Sequence, residues 1–161
     1  MAANLNYGNI IASTQMQLDN CQNEKYCFND NLANCTSFGG MYQWDEMMKY
    51  NSAAAEQGFC PPGWHVPTEN DWATLFTVYI SNGFAGSPLK YTGYSNFNAF
   101  LSGMRFNNVD WDFSNFAVMF WSSTSHGPAK AWAHGMNTFN PSVSYYPSSR
   151  TNAFYLRCIQ D

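Results

Sequence analysis

The spacing of apolar and polar residues changes period several times along this chain, and each change predicts an element. Trp72, Leu75, Phe76, Tyr79 and Ile80 recur at three- and four-residue intervals, which places them on one face of a helix. Thr68 precedes that face with a hydroxyl able to cover free backbone N–H groups, and Glu69 and Asp71 put negative charge in the first turn, where the helix dipole favours it. The pattern predicts a helix that starts at Glu69 and stops at Asn82 and Gly83. Ahead of it, Pro61, Pro62 and Gly63 force a turn, Trp64, His65 and Val66 extend as a short strand, and Pro67 ends that strand.

A first helix is predicted after Gly39-Gly40, because Met41, Trp44, Met47, Met48 and the aliphatic stem of Lys49 keep helical spacing up to Asn51. Residues 4–17 alternate weakly and read as an edge strand followed by a loop, and residues 19–34 as a polar turn region. Residues 82–118 are rich in Gly, Ser, Asn, Tyr and Phe without a sustained period, which predicts a long loop with short strands and a helical turn within residues 93–103. Period two returns where Phe116, Val118 and Phe120 alternate with Ala117, Met119 and Trp121, a buried strand that should stop at Ser122-Ser123-Thr124. Two further strands are expected near residues 131–136 and 143–146, on either side of the turn Asn140-Pro141-Ser142. In the last run Phe154, Leu156 and Cys158 share a face, which would bury the cysteine.

Composition narrows the class. A chain of 161 residues fits one domain, 1–161, and can bury a sufficient core. Charged residues make up 11% and aromatics 18%, a poor composition for disorder and a rich one for a contact surface of Tyr, Trp, Asn and Ser. The net charge of −4 and the scatter of the seven basic residues argue against nucleic acid as a partner. No apolar run approaches the roughly 18 residues a membrane-spanning helix needs.

The five cysteines show no Cys-x-x-Cys spacing, so a disulfide framework in an exported protein is the better reading, with Met1-Ala-Ala-Asn-Leu-Asn-Tyr expected either to follow a removed leader or to belong to a domain of a longer exported protein. Spacing alone leaves the pairing open. Cys60 with Cys158 is favoured, closing a loop of about 100 residues and restricting the unfolded chain by roughly 4 to 5 kcal/mol. Cys27 with Cys35 would staple a local turn, leaving Cys21 free or available to another chain; the alternative is that all five are reduced and act as small apolar residues.

Several ordered motifs carry a resemblance. Met1-Ala-Ala-Asn-Leu-Asn-Tyr-Gly8, Lys25-Tyr-Cys27, Ala33-Asn-Cys35, Gly39-Gly-Met-Tyr-Gln-Trp44, Cys60-Pro-Pro-Gly-Trp-His-Val-Pro-Thr68, Phe120-Trp-Ser-Ser-Thr124 and Leu156-Arg-Cys-Ile-Gln-Asp161 together resemble the Fibrobacter succinogenes major paralogous domain over nearly the whole chain. Through the Pro67-Thr68 helix start and the strand carrying Arg157, the chain also resembles the formylglycine-generating-enzyme branch of the C-type lectin-like fold. The resemblance implies an α+β domain: two helices flanking a small antiparallel sheet, chain ends brought together and a long loop-rich region.

Candidate chemistry is sparse. The enzymes of that wider group use neighbouring cysteines near the carboxyl end, and Cys158 has no such neighbour. The calcium-dependent sugar motifs of the broader fold, Glu-Pro-Asn or Gln-Pro-Asp with Trp-Asn-Asp, do not occur, and Asn29-Asp30-Asn31 reads as a side-chain-capped turn rather than a calcium site. His65, His126 and His134 stand at no metal-ligand or nucleophile spacing, so neither a metal nor a cofactor is expected. Asp45, Glu46, Asp110 and Asp112 could supply paired carboxylates for hydrolysis, but solvated helix and loop charges are the better reading.

What remains is the polar and aromatic collection in residues 124–153: Ser125, His126, Lys130, His134, Asn137, Asn140, Tyr145, Tyr146 and Arg150. The resemblance implies an exposed position for this segment, the part diversified in variable proteins of retroelement cassettes. The expectation is a non-enzymatic recognition domain at a cell surface, such as the terminal module of a bacterial lipoprotein, adhesin or pilus protein. Its ligand would be a glycan or a protein, bound without a metal. Two alternatives are a variable receptor-binding protein of a phage or diversity-generating retroelement and, more remotely, a cysteine-dependent or carboxylate enzyme.

Overall fold

A strand buried on both faces needs apolar residues at consecutive positions, and residues 118–121 supply them: Val118 and Phe120 face one core, Met119 and Trp121 another. The computed structural model, which describes residues 3–80, 83–106 and 110–161, is an α+β fold organised around that strand. In chain order its elements are β1 (Asn9–Ile10), β2 (Glu24–Lys25), α1 (Leu32–Phe38), β3 (Met41–Gln43), α2 (Trp44–Met47), β4 (Trp64–His65), α3 (Glu69–Val78) and α4 (Gly86–Leu89). There follow β5 (Ser102–Phe106), β6 (Asp110–Ser114), β7 (Ala117–Ser125), β8 (Lys130–Asn137), β9 (Ser144–Ser149), β10 (Ala153–Tyr155) and β11 (Ile159–Gln160).

Seven strands form the main sheet in the order β3-β10-β5-β7-β8-β9, with β6 paired to β5. The sheet is mixed rather than antiparallel as expected, because β5 and β10 both pair with β7 in parallel. The β7–β8 and β8–β9 pairs are antiparallel, with Phe120 opposite His134 and His134 opposite Tyr145. On one side α2 packs Trp44 and Met47 with Trp121 and Phe154; on the other α3 packs Trp72 with Phe120 and Tyr155.

The expected cap of α3 is present. The Thr68 hydroxyl accepts from Asp71 N, and the Thr68 N–H donates to Asp71 Oδ2 at 2.8 Å, a reciprocal pair that satisfies two backbone donors. The helix ends at Val78, before the expected stop, and leaves Ile80 exposed; Asn82 lies outside the described residues. Its apolar face therefore ends with Tyr79 packed beside Trp72, Leu75 and Phe76.

Three expectations need correction. The helix predicted from Met41 begins as β3, because Met41 N and O exchange bonds of 3.0 and 2.9 Å with Tyr26 and because Tyr42 pairs with Phe154; only Trp44–Met47 is helical. The polar region 19–34 runs into α1, capped by the Asn31 side chain accepting from Ala33 N. Residues 82–118, expected as a long loop with short strands, hold the five-residue strands β5 and β6 and also α4, which was not expected, while the turn expected within 93–103 is not helical. Arg105 concealed β5 from the hydropathy pattern: it is fully buried, with its guanidinium 4.3 Å from the Tyr26 ring centroid and donating to Ser13 O at 2.5 Å. Gly103 sits at φ 86, and a Cβ there would collide with the Phe28 ring and come within 2.8 Å of Asp112 O.

Both favoured disulfides form. Cys60 bridges Cys158, Cys27 bridges Cys35, and Cys21 is free and exposed. The long bridge works with β11, which pairs Ile159 with His65 and Gln160 with Trp64, and with the Leu5 N–H bond to Leu156 O at 2.8 Å, to hold both ends of the chain against one scaffold. His65 is part of it: Nδ1 lies 2.6 Å from Asp161 and Nε2 3.2 Å from Asp71.

Candidate functional site

The residue types singled out in the segment 124–153 do not form one patch, because pleating sends adjacent strand residues to opposite faces. Tyr145 pairs with His134 and Tyr146 with Ala133, so the two tyrosines stand on opposite sides of β9. Tyr145 is 65% exposed and Tyr146 40%.

On the Tyr146 face a depression of about 570 Å³ opens between β5, β6, β7, β8 and β9. Phe106, Phe113, Phe116, Phe139 and Tyr146 wall it, and Met119 with Gly135 forms its floor. Gly135 keeps that floor open, since a Cβ would collide with Met119 Sδ and reach 3.0 Å from Ser144 Oγ. Phe139, 83% exposed, stacks on Phe116 with ring centroids 6.1 Å apart and planes inclined at 11°. Tyr146 donates its hydroxyl to Met119 Sδ at 3.6 Å, and burial pushes its phenol pKa up. Asn137, Asn140 and Ser144 supply the polar rim, and among the described residues no charged side chain lines the depression. The two asparagines also build the loop that carries Phe139: Asn137 Oδ1 accepts from Phe139 N and Asn140 N at 2.9 Å each, and Asn140 Oδ1 accepts from Ser142 N at 2.8 Å.

The opposite face carries His126, Trp132 and Tyr145, with His126 5.1 Å and Tyr145 6.0 Å from the Trp132 ring centroid. Lys130 stands exposed at the start of β8. His134 lies on this face but is buried beneath α3, its ring 5.0 Å from Trp72 and 5.2 Å from Phe76, with Nε2 2.9 Å from Glu69 Oε1.

Arg150 is a clamp. Its guanidinium lies 4.0 Å from the Trp44 ring centroid, pairs with Asp45 at 3.0 Å and donates to Ser125 Oγ at 2.8 Å, tying the β9–β10 turn to α2 and to the end of β7. That arrangement uses the donors a ligand would need. Asp45 is thus paired, and buried Glu46 accepts from Glu24 N at 2.8 Å and from the Tyr50 hydroxyl at 2.9 Å, with burial raising its pKa. Asp112 Oδ1 accepts from Phe113 N, and the Asp110 side chain lies outside the described residues. Asp30 binds the Ser13 backbone and hydroxyl, Asn31 caps α1, and no group of three His, Cys, Asp or Glu among the described residues could hold a metal.

Sequence reasoning missed Trp132 and the phenylalanines of the depression. Trp132 sits between two alanines in a strand, where exposure depends on which face α3 covers. Phe106, the Phe113–Phe116 turn and Phe139 come from three separate segments and meet only in the fold.

A mixed sheet with a core on each side, stapled by two disulfides at the chain ends and at α1, defines a disulfide-stabilised α+β domain. The chain belongs to the Fibrobacter succinogenes major domain family, whose model matches residues 1–160. No curated protein and no solved structure matches it. Among the described residues no helix is long and apolar enough to cross a membrane. The two bridges suit an oxidising, extracellular environment.

Proposed function

We propose that this chain is a non-enzymatic recognition domain, acting outside the cell, that binds a protein ligand in the depression beside Tyr146. The observation that carries this reading is the convergence of exposed phenylalanines on one concave surface whose described lining is apolar with an Asn and Ser rim. Exposed apolar patches of this kind mark contact sites, and aromatic side chains bury large area for few rotatable bonds. The lining favours a polypeptide segment bearing uncharged apolar side chains, its backbone carbonyls met by the Nδ2 donors of Asn137 and Asn140, whose Oδ1 atoms hold the loop. The disulfides and the Arg150 clamp keep the supporting strands fixed, which lowers the ordering cost of binding. A C-type lectin-like architecture belongs to the same proposal, supported by the closure of the chain ends through β4–β11 and Cys60–Cys158.

Selection of displayed random peptides on the immobilised domain tests this. Enriched sequences should carry aromatic or aliphatic residues without charge, and Phe139→Ala should weaken their binding at least about tenfold, since an exposed central aromatic carries a large share of such contacts. No enrichment, or enriched peptides that bind Phe139→Ala equally well, would sink the proposal.

A further inference from the structure

We propose that the row His126–Trp132–Tyr145 on the other face of β8–β9 is a separate, metal-independent binding site for a neutral carbohydrate. His126 meets Trp132 edge to face, with centroids 5.1 Å apart and planes at 69°, and Tyr145 lies 6.0 Å beyond with its plane inclined at 41°, so the row presents tilted rather than coplanar ring faces to a sugar. Aromatic faces carry negative quadrupole density, and the axial C–H groups of a sugar ring present a weakly positive apolar face to match it. Trp132 is half-buried and Tyr145 is backed by His134 at 6.2 Å, so the platform is held in place before a ligand arrives. The rings of α3 reach β8 at His134, leaving Trp132 and Tyr145 beyond the helix.

Hydroxyl chemistry is available beside the rings. Glu69, partly exposed at the start of α3, engages His134 through Oε1, and its Oε2 has no hydrogen-bond partner among the described residues. That oxygen is an acceptor for sugar hydroxyls, and the Lys130 ammonium at the other end of the row is a donor. One carboxylate and one ammonium do not favour a strongly charged polymer, which commits the occupant to a neutral glycan. The site depends on no residue of the Phe139 depression, so either proposal can fail while the other stands.

Native affinity electrophoresis in gels containing hydroxyethyl cellulose, xylan, laminarin or galactomannan tests the inference. At least one polymer should retard the protein, with retardation unchanged by EDTA and by Phe139→Ala. Tyr145→Ala, at an exposed position that leaves the core intact, should weaken binding by about tenfold for one lost stacking ring. Trp132→Ala should abolish it, and quenching of tryptophan fluorescence on titration with the matching oligosaccharide should disappear in the Trp132→Phe variant. Absence of retardation by all four polymers, retardation abolished by EDTA, or binding unchanged in Tyr145→Ala would overturn it.

Discussion

Opening the two disulfides separately should cost unequal amounts of stability, and the structure sets the difference. Cys60–Cys158 spans a sequence separation of 98 and Cys27–Cys35 one of 8. In the loop-entropy account the long bridge restricts the unfolded chain by about 4.7 kcal/mol and the short one by about 2.6 kcal/mol. The folded-state cost of deleting the sulfur atoms should nearly cancel between the pairs, because all four cysteines are almost fully buried. The Cys60→Ala/Cys158→Ala variant should therefore be less stable than Cys27→Ala/Cys35→Ala by about 2 kcal/mol. With a urea dependence of about 2 kcal/mol per molar, that is a midpoint separation of about 1 M, resolved by circular dichroism during urea titration. Equal midpoints, or a lower midpoint for the short-loop variant, would refute the reasoning and place the stabilisation in the folded state.

Two further outcomes follow from the scaffold. Burial pulls the His65 pKa down, but hydrogen bonds to Asp161 and Asp71 outweigh it and leave the folded value above the ordinary 6.5; the resulting stability is fully present below that ordinary value and is lost as pH rises through the folded one. Thermal midpoints measured across that window should fall more in the native chain than in His65→Gln, and parallel curves would contradict the assignment. Gly103→Ala, which places a Cβ against the Phe28 ring and Asp112 O at a positive φ, should destabilise by about 2 to 4 kcal/mol in the same urea assay, and a loss within experimental error of zero would show that β5 can relax there.

Local chemistry made a good part of the scaffold legible. The Thr68–Asp71 cap, the turn at Pro61-Pro62-Gly63 and the apolar spacing of Trp72, Leu75, Phe76 and Tyr79 act within a few residues, and the fold retains them. The element from Met41 was misread because a helical spacing of large apolar residues also fits a buried strand followed by one helical turn. Hydrogen bonds to Tyr26 and Phe154, distant in sequence, decide between the two. The β5–β6 hairpin was hidden for a related reason: Arg105 reads as a surface charge until Tyr26 and Ser13 are placed around it.

The candidate sites divide the same way. Composition alone identified residues 124–153 as rich in groups suited to contact, and the sequence by itself determined the family motifs and the cysteines available for bridging. Strand alternation already divides Tyr145 from Tyr146, but only the tertiary structure decided what each of them faces, buried His134 under α3, committed Arg150 to Trp44 and Asp45, and brought Phe139 to Phe113 and Phe116 around one depression. The physical reason is range. Caps, turns and periodicity are fixed by neighbours along the chain, whereas the face a strand residue presents, and what covers it, depend on strand pairing and helix docking between segments far apart in sequence.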